Sequence, residues 1–498
     1  MTPAAVVRRL PTEASKRSRL LLLLICLAQF MVVLDVSIVN VALPSIRTSL
    51  HFGTTGLQWV VSAYTLTFGG FLMLGGRASD LLGRRRVFMG GIALFVVTSL
   101  ACALARSRGL MIGARTLQGF GAAIVSPASL AIIATAFAEG RERNRALGAW
   151  GAIGGIGASS GVLLGGLLTQ ALGWPSIFLL NLPVGAVVLL LAPALVPAGR
   201  IQAAARNFDA LGALLVTGGL MLIVYGIVST GTHGWGSGGV LWPIAGGLVA
   251  VVAFAAVESR FAAAPLMPLR LFRLQQLRAA NLVVFLLGCA MFAMWFTLSL
   301  YLQQVRHFDA LQTGFAFLPM TVGIVVASTL VPRLVWRAGV RAVVATGMLM
   351  AFAGLALLHW VGPSSNYFAT VLPGGMLAAV GMGLAIVPST IAAVAGVPAR
   401  DSGLASGLIN TSRLMGGALG LAVLSTIADS WTSSKLAAGV APAQAVTDGY
   451  QLAFLAGAGL CLAGALCAAL LLRSGRTLPT SIAAKPLDEA LAGERVAA

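Results

Sequence analysis

The feature that most constrains this chain is a series of fourteen apolar runs, each ended by charge, Pro or Gly. A helix needs about 20 consecutive apolar residues to cross the hydrocarbon core of a bilayer. The runs lie near 20–43, 56–78, 87–105, 109–137, 145–171, 176–196, 209–230, 240–258, 279–302, 313–332, 340–360, 367–388, 403–428 and 449–472. The sequence therefore predicts an all-α polytopic membrane protein with fourteen spans.

Composition excludes the two main alternatives to a membrane protein. Hydrophobic residues make up 58% of the chain and charged residues only 9%. Soluble domains carry roughly 25% charged residues, so this chain cannot cover a water-facing surface. Five Cys in 498 residues form no disulfide framework, which excludes a small secreted scaffold.

The net charge of +19 suggests a nucleic-acid partner at first sight, but the basic residues occur in small groups at the ends of apolar runs. If the N-terminus is cytoplasmic, 26 of the 33 Lys and Arg residues fall on the inner side and five on the outer side. That bias is the one found in membrane proteins. We therefore expect both termini in the cytoplasm, lipid headgroups as partners of the basic loops, and no nucleic acid.

A weak internal repeat suggests two bundles. Segments 76–91 and 332–347 align at a constant offset, and four Gly and Arg positions match. The repeat predicts six-helix bundles at 1–200 and 273–498, with an inserted helix pair in the linker 201–272. Parallel repeats of this kind occur in transporters whose substrate site lies between the halves.

The inner loop between the second and third spans carries an acidic residue among arginines. Its pattern is G-x-x-x-D-x-x-G-R-R over residues 76–85. The positive-inside rule explains the arginines but not the acid. We expect a gating network made by Gly76, Arg77, Asp80, Gly83, Arg84 and Arg85, with Gly83 allowing the tight turn.

Asp35 is the one acidic residue well inside a span, where a charge costs about 2.5–3.5 kcal/mol or more. Its expected partner is Arg115 of the fourth span, because both residues lie roughly 9–13 Å below the outer boundary. Burial favours a protonated carboxyl group, whereas a nearby guanidinium favours the ionised form. The sequence leaves open whether the pair couples protons or is a static salt bridge.

The fifth span carries Gly157, Gly161, Gly165 and Gly166. The spacing i, i+4, i+8 gives a stripe without side chains, which allows close helix contact. Either close packing alone or a pliable transport element explains this stripe.

Several polar, soft or aromatic side chains inside the spans are candidates for a substrate cavity. Arg413 lies near the midplane, where it either binds backbone carbonyls or favours an anionic substrate group. Met and aromatic residues in the ninth span suit either an adaptable pocket or ordinary packing. The candidates are Gln29, Tyr64, Gln118, Met294, Trp295, Phe296, Asn410 and Arg413.

No pattern of catalytic residues is present, and an enzyme is not expected. The His and Cys residues lack metal-ligand spacing, and the P-loop pattern G-x-x-x-x-G-K-[ST] does not occur. We expect no metal and no cofactor, with a proton gradient as the energy source.

These motifs resemble those of the major facilitator superfamily. The resemblance rests on the 76–86 loop, the segment 34–44, the run R-T-L-Q-G at 115–119 and the span-five glycines. The segments 174–185 and 403–420, with fourteen spans, resemble the fourteen-helix drug:H+ antiporter branch of QacA-type and EmrB-type multidrug exporters. The resemblance implies a proton-coupling role for Asp35 and Arg115 and a gating role for the 76–86 loop.

Two positions depart from the family pattern. Val162 stands where the antiporter motif of the fifth span has a proline that would bend the helix. Trp336 stands in the second-half loop where the first half has Asp80. The gating network is therefore expected to differ between the halves.

The resemblance predicts a proton-coupled antiporter that exports amphipathic drugs or natural products by alternating access. The expected location is the cytoplasmic membrane of a bacterium, and the expected partners are small organic substrates, H+ and lipids. An adaptor protein of the outer envelope is a partner that the sequence does not identify. The alternatives are a proton-linked transporter of a small metabolite and a non-transporting membrane receptor.

Overall fold

The computed structural model describes residues 13–138, 141–197, 209–234, 236–260, 271, 273–395, 397 and 402–473. Within these ranges the chain is almost wholly helical and contains no β-strand, which confirms the predicted all-α class. Residues 1–12, 198–208, 261–270 and 474–498 lie outside the described part. The cytoplasmic location of both termini stays a prediction.

The first half of the chain forms eight helices, two of them short. In chain order they are α1 (Glu13–Ser49), α2 (Thr54–Leu57), α3 (Trp59–Leu82), α4 (Arg84–Ala103), α5 (Arg108–Ala136), α6 (Arg141–Leu172), α7 (Pro175–Leu179) and α8 (Asn181–Leu195). Only Leu180, which keeps helical dihedrals, separates α7 from α8. The two together fill the sixth predicted span.

The rest of the described chain forms seven further helices. They are α9 (Ala210–His233), α10 (Gly238–Arg260), α11 (Gln275–Leu300), α12 (Ala310–Leu358), α13 (Leu372–Val394), α14 (Ser402–Ala437) and α15 (Pro442–Leu471). A π-helical turn, Tyr301–Val305, extends α11, and another, Tyr367–Val371, precedes α13.

Thirteen segments of the described residues are long and apolar enough to cross a membrane. One of them, α12, has 49 residues and consists of two helices that meet at Gly339, where φ is 81° and ψ is 160°. Divided there, α12 supplies the tenth and eleventh predicted spans. Gly83, the matching glycine of the first half, also has a positive φ, of 93°.

The first half packs around α1 and α5. The helix α1 contacts α6 and α8, while α5 lies against α3 and α4. Glycines allow these close approaches. A Cβ on Gly119 of α5 would lie 2.3 Å from the Tyr64 carbonyl of α3, and a Cβ on Gly185 of α8 would lie 2.0 Å from Val96 of α4.

The second half repeats this arrangement around α11. The helices α14 and α15 contact α11, and α12 packs along α13 and α15. Gly420 of α14 lies so close to Cys289 of α11 that a Cβ there would stand 2.2 Å from its Cα.

The two halves meet along two helix pairs, α3 with α14 and α6 with α12. At the predicted outer end, Ser299 Oγ donates to the Asn40 carbonyl at 2.6 Å, and Gln303 Nε2 donates to the Val41 carbonyl at 3.0 Å. Ser425 of α14 donates to Gln58 at the same end. The predicted outer end between the halves is therefore closed in this structure.

The inserted pair α9 and α10 lies against the outside of the α3–α14 contact. Asp209 caps α9 by accepting from the Gly212 amide at 2.7 Å. Gly219 of α9 and Gly247 of α10 pack backbone to backbone, and Val224 of α9 shares a buried cluster with Ala418 of α14. The side of α14 next to α9 packs on α3 of the first half, and the side away from α9 packs on α11.

Candidate functional site

The two charged residues expected to pair, Asp35 of α1 and Arg115 of α5, are in contact. Arg115 Nη1 donates to Asp35 Oδ2 at 2.5 Å. The exposed fraction of their side chains is 1% for Arg115 and 0% for Asp35. The sequence placed the two residues at matching depths in the membrane. The structure joins them in a fully buried ion pair.

Two side-chain amides complete the surroundings of the carboxylate. Gln118 Nε2 donates to Asp35 Oδ1 at 2.9 Å, and Asn181 Nδ2 donates to the same oxygen at 3.1 Å. Both amide groups also donate to Ser99 Oγ, at 2.9 and 2.8 Å. The carboxylate therefore accepts three hydrogen bonds, from helices that approach it from two sides.

The guanidinium of Arg115 has further partners besides Asp35. Its Nε donates to the Val60 carbonyl at 2.9 Å, and its Nη1 also donates to Gln118 Oε1 at 2.7 Å. The Arg115 Cζ lies 4.2 Å from the centre of the Tyr64 ring and 5.8 Å from that of Phe178. Aromatic faces attract a cation, and most strongly where water is excluded.

This arrangement pairs one buried negative charge with one buried positive charge. A buried ion pair needs hydrogen bonds to its remaining donors and acceptors. Here Nε and Nη1 of Arg115 and both carboxylate oxygens of Asp35 have partners. A proton on Asp35 Oδ2 would replace the bond from Arg115, and the guanidinium would keep its contacts with Val60, Gln118 and Tyr64. The site thus has two chemically reasonable states with different charge on the carboxyl group.

The sequence did not predict two members of this network, Ser99 and Asn181. A serine in a helix can bond to its own backbone, so Ser99 carried no distinguishing signal. Asn181 did carry one, because an amide in an apolar span needs partners. It lies about six residues from the outer end of its span, roughly 9 Å deep, which matches the depth of Asp35.

The glycine stripe of α6 lies against α1, the helix that carries Asp35. A Cβ on Gly161 would stand 1.9 Å from Ser37 Oγ, and one on Gly165 would stand 2.7 Å from the Ile38 carbonyl. A Cβ on Gly157 would contact Val33 at 3.0 Å. Gly166 instead faces the second half, where a Cβ would stand 2.5 Å from the Ala310 carbonyl of α12.

The position that departs from the family pattern, Val162, lies inside α6, which runs without interruption from Arg141 to Leu172. Its side chain is 4% exposed, and its carbonyl lies against Gly314 of α12. The fifth span of this chain is therefore a continuous helix that packs against α12 at the position where the family pattern has a proline.

The expected gating loop joins α3 to α4 at Gly83, whose φ of 93° only glycine adopts readily. Arg85 Nη1 donates to the Pro193 carbonyl at 3.0 Å near the end of α8, where carbonyl groups lack helical partners. Gly76 lies against Pro127 of α5, and Arg77 is partly buried. The side chain of Asp80 lies outside the described part of the structure.

Five of the eight cavity candidates lie either in the Asp35 network or on α11. Tyr64 and Gln118 belong to the Asp35 network. Met294 and Phe296 of α11 are 1% and 2% exposed and pack in the hydrophobic core. Trp295 keeps partial exposure, and its ring packs edge-on to that of Phe317 at 5.1 Å between ring centres.

The remaining candidates, Gln29, Asn410 and Arg413, lie apart from the network. Arg413 Nη2 donates to Asn410 Oδ1 at 2.7 Å, one turn earlier on α14. Within the described residues Arg413 has no carboxylate partner and no bond to a backbone carbonyl. Gln29 of α1 is 7% exposed, and its buried Oε1 has no hydrogen bond.

Across the described ranges no cluster of His, Cys, Asp or Glu side chains has the arrangement of a metal site. The Cys residues that the structure describes are all free thiols. The chemistry of the described site is therefore that of one carboxyl group, its cation and amide donors.

The sequence profile described as Major Facilitator Superfamily matches residues 25–421 and 282–495. The chain is 42% identical over 426 residues to the cephamycin export protein CmcT of Amycolatopsis lactamdurans, covering 85% of this chain and 88% of that protein. It is 39% identical over 460 residues to the puromycin resistance protein pur8 of Streptomyces alboniger, covering 91% of each. The lincomycin resistance protein of Streptomyces lincolnensis is 36% identical over 430 residues, covering 85% of this chain and 87% of that protein.

Solved structures show the same fold at low sequence identity. An auto-inhibited peptide transporter of the POT family aligns with a TM-score of 0.67 at 15% identity, over 94% of this chain and 98% of that one. A bacterial homologue of the lysosomal transporter Spinster aligns with a TM-score of 0.63 at 15% identity, over 91% and 96%. The predicted resemblance is confirmed, and this chain is a multi-pass membrane transport protein that belongs to the Major Facilitator Superfamily.

Proposed function

We propose that this protein is a proton-coupled antiporter that exports amphipathic drugs or natural products across the cytoplasmic membrane of a bacterium. The observation that carries the proposal is the buried carboxyl group of Asp35, held by one guanidinium and two amides at 0% exposure. A titratable group at this depth is a functional candidate because its charged form is costly in hydrocarbon. The relatives named for cephamycin export and for puromycin and lincomycin resistance support export of natural products.

The proposed cycle links Asp35 to the contacts between the halves through α1. Asn40 and Val41, five and six residues beyond Asp35 on the same helix, accept hydrogen bonds from Ser299 and Gln303 of α11. The distance along α1 from Asp35 to Asn40 is therefore roughly 7.5 Å. Protonation from outside releases Arg115 from the carboxylate and shifts α1, so these contacts form or break with the charge of Asp35.

The two bundles proposed to move are residues 1–200 and 273–498, with 201–272 as an inserted pair. The contacts within each half, around α1 and α5 and around α11, support this division. The loop 76–85 is the proposed inner gate, because it sits at the α3–α4 turn with Arg85 bound to the end of α8. The energy source is the proton gradient, without a metal or a cofactor.

Transport in sealed vesicles with a fixed pH gradient tests the proposal. Asp35→Asn keeps the size of the side chain but cannot take up and release a proton, so gradient-driven efflux of a fluorescent amphipathic drug should fall to background. Asp448→Asn is the control, because Asp448 lies on α15 and outside the network. Its Oδ2 stands 3.7 Å from Lys435 Nζ.

Undiminished gradient-driven efflux by Asp35→Asn would contradict proton coupling at this residue. Drug binding without flux in the unaltered protein would support the receptor alternative. Gradient-driven flux of small polar metabolites, with none of amphipathic drugs, would support the metabolite transporter.

A further inference from the structure

The second half of the protein holds a cation that the proton-coupling network does not use. Arg413 lies ten residues into its predicted span, roughly 15 Å from the inner boundary. Its one hydrogen bond among the described residues is to Asn410, and its side chain remains partly exposed. An unpaired guanidinium near the bilayer midplane is costly, so such residues face a water-filled cavity or a ligand rather than lipid.

The neighbours of α14 show which way Arg413 points. On one side Thr411 Oγ1 donates to the Gly69 carbonyl of α3 at 3.1 Å, and Leu414 packs on the same glycine. On another side Gly416 and Gly420 pack on α11.

On a third side Met415 and Leu419 pack against the cluster of α9. At 100° per residue, Arg413 lies on the α11 side of α14, where a Cβ on Gly288 would stand 2.4 Å from its carbonyl. Asn410 lies between that side and the contacts with α3. The Arg413 guanidinium, which is bonded to Asn410, is therefore directed to the space between α3 and α11, which belong to different halves.

A second unpartnered polar side chain lies at the same depth in the first half. Gln29 is nine residues into its span, roughly 13 Å from the inner boundary. Its Oε1 is buried without a hydrogen bond, and the residue is 7% exposed. It shares a face of α1 with Val36 and Asn40, 120° away from Asp35.

The helices α1 and α14 border the same buried cluster at this level. Leu414 of α14 is a member of the same buried cluster as Met31 of α1, and Val36 packs against that cluster. The unpartnered amide of the first half and the unpaired cation of the second half therefore lie at the same depth, on helices that border the same cluster.

We infer that Arg413, with Asn410 and Gln29, forms an anion subsite in the space between the halves that selects substrates carrying a carboxylate. This inference rests on the proposed function and narrows its substrate class to amphipathic organic acids. A guanidinium binds a carboxylate through paired, charge-assisted hydrogen bonds. Gln29 can add a further bond from its Nε2, since its Oε1 only accepts hydrogen bonds. The carboxylate of the substrate would supply the counter-charge that no described residue gives to Arg413.

Equilibrium binding to the purified full-length protein at neutral pH tests the subsite without any gradient. The probes are pyrenebutanoate, which is ionised, and pyrenebutanamide, which has the same apolar body without the charge. The unaltered protein should bind the acid more tightly. Arg413→Gln should weaken binding of the acid by about tenfold or more and leave binding of the amide unchanged.

Two further variants make the result specific. Arg413→Lys should keep part of the preference, because an ammonium retains the charge but loses the bidentate geometry. Met415→Leu, on the same helix but against α9, should keep all of it. Thermal unfolding without ligand should show no loss of stability in Arg413→Gln, since the variant removes a partly exposed charge that has no counter-ion among the described residues.

Three results would overturn the inference. The first is that Arg413→Gln leaves the ratio of acid affinity to amide affinity unchanged. The second is that the unaltered protein binds both probes equally. The third is that Arg413→Gln causes a large loss of thermal stability. The proposed export function would survive each of them. If the unaltered protein bound neither probe, the proposed class of amphipathic substrates would be contradicted as well.

Discussion

The two halves of this transporter each bury an arginine within the membrane, and they treat the charge in opposite ways. Arg115 in the first half has a carboxylate, an amide oxygen, a backbone carbonyl and an aromatic face as partners and is 1% exposed. Arg413 in the second half has one bond to Asn410 and keeps partial exposure. The first arrangement neutralises charge inside the protein, while the second leaves charge available to a ligand.

In the proposed antiporter the two arginines would serve different tasks. A saturated network can change state only when a proton removes one of its charges, which suits energy coupling. A cation without a counter-ion can be satisfied only by what enters the cavity, which suits substrate choice. The chain thus divides the tasks between its halves, although both halves have the same fold.

The largest expected difference is between two variants that each remove one arginine. Arg115→Gln leaves Asp35 buried and charged without a cation, which should lower the free energy of unfolding by about 3–5 kcal/mol. Arg413→Gln should leave the free energy of unfolding unchanged, because no buried partner loses its counter-charge. Thermal unfolding of both variants in the same detergent measures the difference, and equal losses would contradict the contrast between the halves.

A smaller effect is expected from the amides beside each arginine. Asn181→Ala removes donors to both Asp35 and Ser99 from a buried site, at a cost of about 1–3 kcal/mol. Asn410→Ala removes one bond to the partly exposed Arg413 and should cost less, about 0.5–1.5 kcal/mol. If chemical denaturation ranked the two variants in the reverse order, the first-half network would be weaker than its geometry indicates.

The smallest effect tests how α6 holds the helix that carries Asp35. Gly161→Ala places a methyl group 1.9 Å from Ser37 Oγ, so α1 or Ser37 must shift, at a cost of about 1–2 kcal/mol. Gly154→Ala on the same helix meets nothing within 4 Å and should be neutral or stabilising by up to about 1 kcal/mol. The difference in melting temperature between the two variants is the measurement, and no difference would mean that the stripe is not a packing surface.

Most of the fold followed from hydrophobicity, because each span must be long and apolar whatever its neighbours are. The contact of Asp35 with Arg115 followed from depth alone, since helix rise is constant and charges in hydrocarbon must find partners. Asn181 could have been found by the same depth argument. Ser99 could not, because a serine in a helix satisfies itself locally in many proteins.

The cavity candidates show where sequence reasoning reached its limit. Tyr64, Gln118, Met294 and Arg413 all looked suitable for binding a substrate, yet two lie in the Asp35 network and one in the core. Which side of a helix faces a cavity depends on which helices pack against it. For α14, the contacts with α3, α11 and α9 together decide which side is left uncovered. These contacts join residues that are far apart in the chain.

The sequence by itself determined that the chain is a helical membrane protein, where its spans lie and which charges must be buried. These properties depend on the solvent, because hydrocarbon imposes the same length and polarity on each span. Only the tertiary structure decided that one buried arginine is enclosed by partners while the other faces the space between the halves. That difference arises from packing among distant helices, and the local residue pattern does not encode it.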